Sequence, residues 1–101
     1  MTLHGIDIPQ ERMAAFCREN GIRRLALFGS VLRDDFRPDC DVDVLVEFQA
    51  GVRVGYFAIA RMTRELADMM GRAVDMRTPA ELHPAFRDEV MREALIEYVA
   101  A

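Results

Sequence analysis

The spacing of apolar positions changes period several times along the chain, and each change marks an element. Between residues 9 and 20, Met13, Phe16 and Cys17 recur at i, i+3 and i+4, with Asn20 at the end of the stripe, which is one buried face of a helix. Pro9 suits its first turn and Gly21 its stop. Residues 23–28 form a short apolar run that reads as a strand and ends at Gly29-Ser30, with room for one helical turn over residues 30–33. Over residues 42–48 the period is two: Val42, Val44, Val46 and Phe48 share one face, while Asp43, Leu45 and Glu47 share the other, with Asp41 just ahead of them. The helical period returns over residues 56–70, where Ile59, Met62, Leu66, Met69 and Met70 form the stripe and Gly71 the cap. Residues 73–77 read as a short third strand closed by Thr78-Pro79. A last helix is expected over residues 84–99, with Phe86, Val90, Met91, Ala94, Leu95 and Tyr98 inward and Asp88, Glu89, Arg92 and Glu93 outward. The order helix, strand, strand, helix, strand, helix describes an α/β (α+β) domain: a small mixed sheet with helices packed on it.

Composition narrows what such a domain can do. With 101 residues the chain fits one domain, residues 1–101, with a radius of gyration of about 13 Å. There is no repeat, low-complexity tract or linker. All 13 basic residues are arginine, so a Walker-type P-loop, a Schiff-base enzyme and a lysine general base are excluded. The formal charge of −4 supplies no global basic field, so direct nucleic-acid binding is not expected. No apolar run approaches the roughly 20 residues that span a bilayer, and the first residues lack a signal-peptide pattern, so a cytoplasmic protein is expected. Cys17 and Cys40 are not in metal-ligand spacing; Cys17 fits a helix as small core filler.

The chemistry concentrates in Phe28-Gly29-Ser30, ten intervening residues, and Asp41-Val42-Asp43. Two carboxylates two apart on a strand face the same way and resist joint ionisation unless a cation is shared. Asp39 adds a third charge, with Asp34 and Asp35 near in sequence. Mg²⁺ fits such oxygen ligands, and it usually takes one or two carboxylates plus substrate phosphates. Gly29-Ser30, at a strand end opening a helical turn, offers backbone N–H groups and a hydroxyl to a phosphate. Asp75, the centre of an apolar-flanked strand, needs a partner: either Arg72 or Arg77, or a place beside the strand of Asp41 and Asp43. In the second case, three carboxylates and a triphosphate could share two metal ions, one activating the attacking hydroxyl and the other the leaving group.

Gly29-Ser30, ten residues, then Asp41-x-Asp43 resembles the signature of the DNA polymerase β-type nucleotidyltransferases, and most closely their prokaryotic minimal nucleotidyltransferase members. The resemblance runs through nearly the whole chain: residues 21–30 are similar to the first strand and phosphate loop, Arg37-Pro38-Asp39 to the approach to the carboxylate strand, residues 71–75 to the segment bearing the third carboxylate, and residues 86–90 to the terminal helix. It implies a polymerase β-like fold. It also implies two Mg²⁺ ions held by Asp41, Asp43 and Asp75 as catalytic carboxylates, and ATP gripped by Gly29 and Ser30. Arg33 becomes a phosphate contact or loop brace. The implied activity is transfer of AMP from ATP to a tyrosine of a HEPN-type RNase toxin, for which such a protein is the antitoxin. Many relatives carry serine where this chain has Cys40. Two other functions are compatible with the same residues: a catalytic subunit modifying a small molecule or nucleic acid with a partner subunit, and a non-catalytic antitoxin that masks its toxin by binding.

Other residues are assigned plainer roles. His4 and His83 are isolated turn residues without a function. Tyr56 covers the core at a helix start rather than stacking on a nucleobase. Met62, Met69, Met70, Met76 and Met91 fill the core, and Arg61 and Arg64 lie on a solvated helix face.

Overall fold

The computed structural model describes every residue except Met1, His4 and Pro38, together with the side chains of Thr2 and Leu3. The reading of His4 as a turn residue, and the Pro38 portion of the resemblance, fall outside the described residues. A two-residue pair, β1 (Thr2–Leu3) with β2 (Ile6–Asp7), opens the chain. Then follow α1 (Gln10–Glu19), β3 (Ile22–Phe28), a 3₁₀ turn (Gly29–Leu32), β4 (Val42–Phe48), α2 (Tyr56–Met70) and β5 (Val74–Arg77). A second 3₁₀ turn (Pro79–Glu81) leads into α3 (Pro84–Glu93) and β6 (Leu95–Val99).

The main sheet has the order β5-β4-β3-β6 and is mixed: β3 is antiparallel to β4 and to β6, whereas β4 and β5 are parallel. The parallel pair follows from the crossover through α2, since a hairpin cannot join parallel neighbours. The helical stripes predicted for α1 and α2 are buried: Met13, Phe16 and Cys17 from one, Met62, Leu66 and Met70 from the other. They pack on the face of the sheet that carries Leu25, Leu27, Val42, Val44 and Val46. The radius of gyration is 12.9 Å.

Cys17 is wholly buried, and desolvation, against a smaller opposing effect of Arg18, pushes its thiol up to about 12. The methionines at 62, 70 and 76 are buried, with Met69 and Met91 partly so.

Two expectations need correction. The helix expected over residues 84–99 stops at Glu93, and its last third is the edge strand β6. Leu25 faces Tyr98 and Leu27 faces Leu95, so two β3 steps span three β6 steps and a bulge intervenes. That bulge brings Leu95 and Tyr98, three apart, to the same core face, which copies a helical spacing. Phe86 is exposed, and α3 buries none of its side chains fully. Tyr56 also does not cover the core. It is 81% exposed because the fully buried stripe of α2 begins only at Met62, and its ring meets Phe57 edge-on at 5.9 Å.

Candidate active site

The pairing of three strands assembles the site. Phe28 ends β3 opposite Asp43, and Asp43 lies beside Asp75 in the parallel β4–β5 register. Neighbouring strands are about 4.8 Å apart. Asp43 therefore stands between the Gly29 turn on one side and Asp75 on the other. These residues belong to the sheet face opposite α1 and α2, because Asp43, Asp75 and Arg77 alternate with the core residues Val44, Val74 and Met76.

Gly29 is required twice over. Its φ of +74° is a left-handed conformation that costs other residues about 1–3 kcal/mol. A Cβ there would also collide with Asp43 Oδ2 and stand 3.2 Å from Asp43 Cγ. The turn and the carboxylate are in direct apposition.

Electrostatics link the same groups. Burial first, then the charge of Asp75, and more weakly that of Asp41, hold the Asp43 carboxyl above the ordinary carboxylate range. The Ser30 backbone N–H, which donates to Asp43, and the nearby Arg77 guanidinium oppose that rise. Asp41 is exposed and sits one residue before β4, so the strand ladder fixes Asp43 but not Asp41.

Asp75 has a cation already. Arg77 Nε and Nη2 both donate to Asp75 Oδ2 at 3.2 Å, two residues along the same strand face. Of the two partners foreseen for Asp75, Arg77 is the one used. Arg72 turns elsewhere: its Nη2 donates to the carbonyls of Arg37 (2.9 Å) and Cys40 (3.3 Å), and its guanidinium lies 4.8 Å from the Phe36 ring centroid. Arg33 is exposed and pairs with Asp35 at 3.3 Å. It also lines, with Phe28, Gly29, Leu32, Val90 and Glu93, a cavity of about 340 Å³ beside the glycine turn.

The sequence offered no sign of the Arg72 contacts, because the acceptors are backbone carbonyls and carry no residue identity. His83, expected as a turn residue without a role, has a structural one. Its Nδ1 accepts from the Ala85 N–H and caps α3.

Among the described residues, no three His, Cys, Asp or Glu side chains form a ready-made metal cage. The donor chemistry nevertheless fits a divalent cation delivered with phosphates. Asp43 feels Asp75 and Asp41 as like charges, which a hard cation relieves, and the cavity of about 340 Å³ borders the glycine turn beside it.

The model of the nucleotidyltransferase domain family matches residues 11–97, and the chain belongs to that family. It is 32% identical over 77 residues to a candidate protein adenylyltransferase of Methanocaldococcus jannaschii, MJ0435, covering 76% of this chain and 81% of that protein. Among solved structures, a candidate minimal nucleotidyltransferase superposes with a TM-score of 0.70 at 35% identity, over 85% of this chain and 86% of that one. The fold also matches, at 16% identity and a TM-score of 0.63, a chain of a tri-AMPylated Shewanella oneidensis HEPN toxin in complex with an MNT antitoxin, over 90% of this chain and 70% of that one. The protein is thus a nucleotidyltransferase of the minimal type, with the expected mixed sheet and helices.

Proposed function

We propose that the chain, acting as one catalytic domain over residues 1–101, is a Mg²⁺-dependent protein adenylyltransferase. Its reaction would move AMP from ATP to a tyrosine hydroxyl of a cognate HEPN-type toxin, in the cytoplasm, and so act as an antitoxin. The observation that carries this reading is the direct apposition of the Gly29 turn, Asp43 and Asp75. The names of the relatives supply the protein acceptor and the toxin partner.

Each residue has a defined part. The turn at Gly29 and Ser30 would present its backbone to the triphosphate, and the Ser30 N–H, which donates to Asp43, ties the turn to the carboxylate cluster. Asp41, Asp43 and Asp75 are the residues that would hold Mg²⁺. When bound, the two ions would lower the cost of bringing an acceptor oxygen to the α-phosphate and of releasing pyrophosphate. Arg33 borders the cavity beside the turn and is the side chain assigned to a phosphate contact or loop brace. With no lysine in the chain, carboxylate-bound cations, backbone amides and Arg33 would carry the phosphate charge.

The test is transfer of labelled AMP to the co-purified toxin, read by mass spectrometry of the modified residue. We expect Mg²⁺-dependent labelling of a tyrosine, lost in Asp41→Asn and Asp43→Asn. Label on a nucleic acid or small molecule and none on protein would favour a transferase with a different acceptor. Full protection of cells by Asp43→Asn would favour masking by binding alone.

A further inference from the structure

Asp41 presents a positioning problem that Asp43 does not. Asp43 is pinned on both sides by the β3 and β5 ladders, whereas Asp41 is the last residue of the loop entering β4. The direction of its carboxylate is therefore set by whatever fixes that loop. One side chain fixes it at three points. The Arg72 guanidinium donates to the carbonyl of Arg37, donates again to the carbonyl of Cys40, and lies over the ring of Phe36. The second of those acceptors belongs to the peptide bond that links Cys40 to Asp41.

Arg72 is itself well anchored. It follows Gly71, whose left-handed conformation ends α2, and precedes Ala73, whose carbonyl accepts the Val42 N–H at 2.8 Å. Both bonds leave one nitrogen, Nη2, while the guanidinium carbon lies over the ring; a lysine ammonium has donors enough for the carbonyls but is a compact point charge without the flat face that lies on the ring.

We propose that Arg72 is a positioning residue for Asp41, holding Phe36, Arg37 and Cys40 so that this carboxylate stands ready beside Asp43. The inference rests on the adenylyltransferase reading for its catalytic consequence but not for its structural one. Arg72 touches no group assigned to substrate, so it acts only through the loop.

Cys40 provides a reporter independent of activity. It is partly exposed on the clamped loop, while Cys17 is buried and serves as an internal control. In Arg72→Met, which keeps the apolar stem, we expect Cys40 to react with iodoacetamide several-fold faster and Cys17 to remain unreacted. Arg72→Lys should fall between Met and wild type. In the transfer assay, kcat should drop by about 10- to 100-fold, the scale for a misplaced catalytic group. The Mg²⁺ concentration for half-maximal rate should rise, while KM for ATP changes little.

Unchanged Cys40 labelling in both variants would overturn the clamp. Faster labelling with a wild-type Mg²⁺ requirement would overturn its role toward Asp41. A fall in activity that merely tracks a lower unfolding midpoint, with unchanged metal dependence, would leave Arg72 a structural residue only. If wild-type protein transfers no AMP to any acceptor, the adenylyltransferase reading fails, and Cys40 labelling still decides the clamp.

Discussion

Asp43 is held in a state that costs the metal-free fold stability. Its carboxyl lies above the ordinary range because it is partly desolvated and faces Asp75 and Asp41, so without a metal the charged form strains the folded protein. In the unfolded chain the group titrates near its reference value of 3.8. The folded state therefore binds the proton more tightly. The penalty is complete above the raised folded value, is relieved as pH falls through it, and is gone below the unfolded value. Asp43→Asn removes the charge while keeping an oxygen that can accept from the Ser30 N–H. In metal-free buffer the variant should unfold at a higher temperature than wild type at pH 7. The gap should narrow as pH is lowered toward 4, as measured by calorimetry across that range. A variant less stable than wild type at pH 7 would contradict the like-charge account of this site. The same variant should transfer no AMP, so stability and activity move in opposite directions at a single position.

At the scale of elements, legibility followed the source of each pattern. The strand over Val42–Phe48 and the helix over Tyr56–Met70 were readable to the residue because Val42, Val44 and Val46 in one, and Met62, Leu66 and Met70 in the other, keep a regular period against the core. The Gly29, Asp43 and Asp75 constellation was also readable, since a close approach and paired charges restrict which residues can stand there. The end of the chain was misread because the β6 bulge imposes a three-residue repeat on a strand. The corrective signal lay in its composition: Ile96, Tyr98 and Val99 favour a sheet over a helix. The placement of β6 gives unequal expectations for two adjacent apolar residues. Tyr98 packs on the core, so Tyr98→Ala should cost about 1–3 kcal/mol, less than for a wholly buried ring. Ile96 is half exposed on the other face, and Ile96→Ala should stay within about 0.5 kcal/mol. Urea unfolding of both variants decides the matter; equal costs would speak against the bulged strand.

The whole molecule divides its labour between the two faces of one sheet. One face is committed to α1, α2 and the core, and the other carries the carboxylates, with α3 burying none of its side chains fully. Ligand linkage therefore tests whether the carboxylate face assembles a site. Mg²⁺ alone meets no three-carboxylate cage among the described residues, and ATP alone brings more negative charge to a chain already at −4. Together, the phosphates complete the coordination that the carboxylates begin, and the cations remove the repulsion between the two. Binding to the folded state alone stabilises by about 2.7 kcal/mol at a hundredfold excess over Kd. For a domain of this size that corresponds to a rise in Tm of about 10–20 °C. Thermal unfolding with Mg²⁺, with ATP plus EDTA, and with both Mg²⁺ and a non-hydrolysable ATP analogue should show the large rise only in the third sample. The rise should disappear in Asp43→Asn. An equal rise with Mg²⁺ alone would mean that the carboxylates bind the metal without phosphate, and an equal rise in EDTA would mean that the nucleotide is held without them.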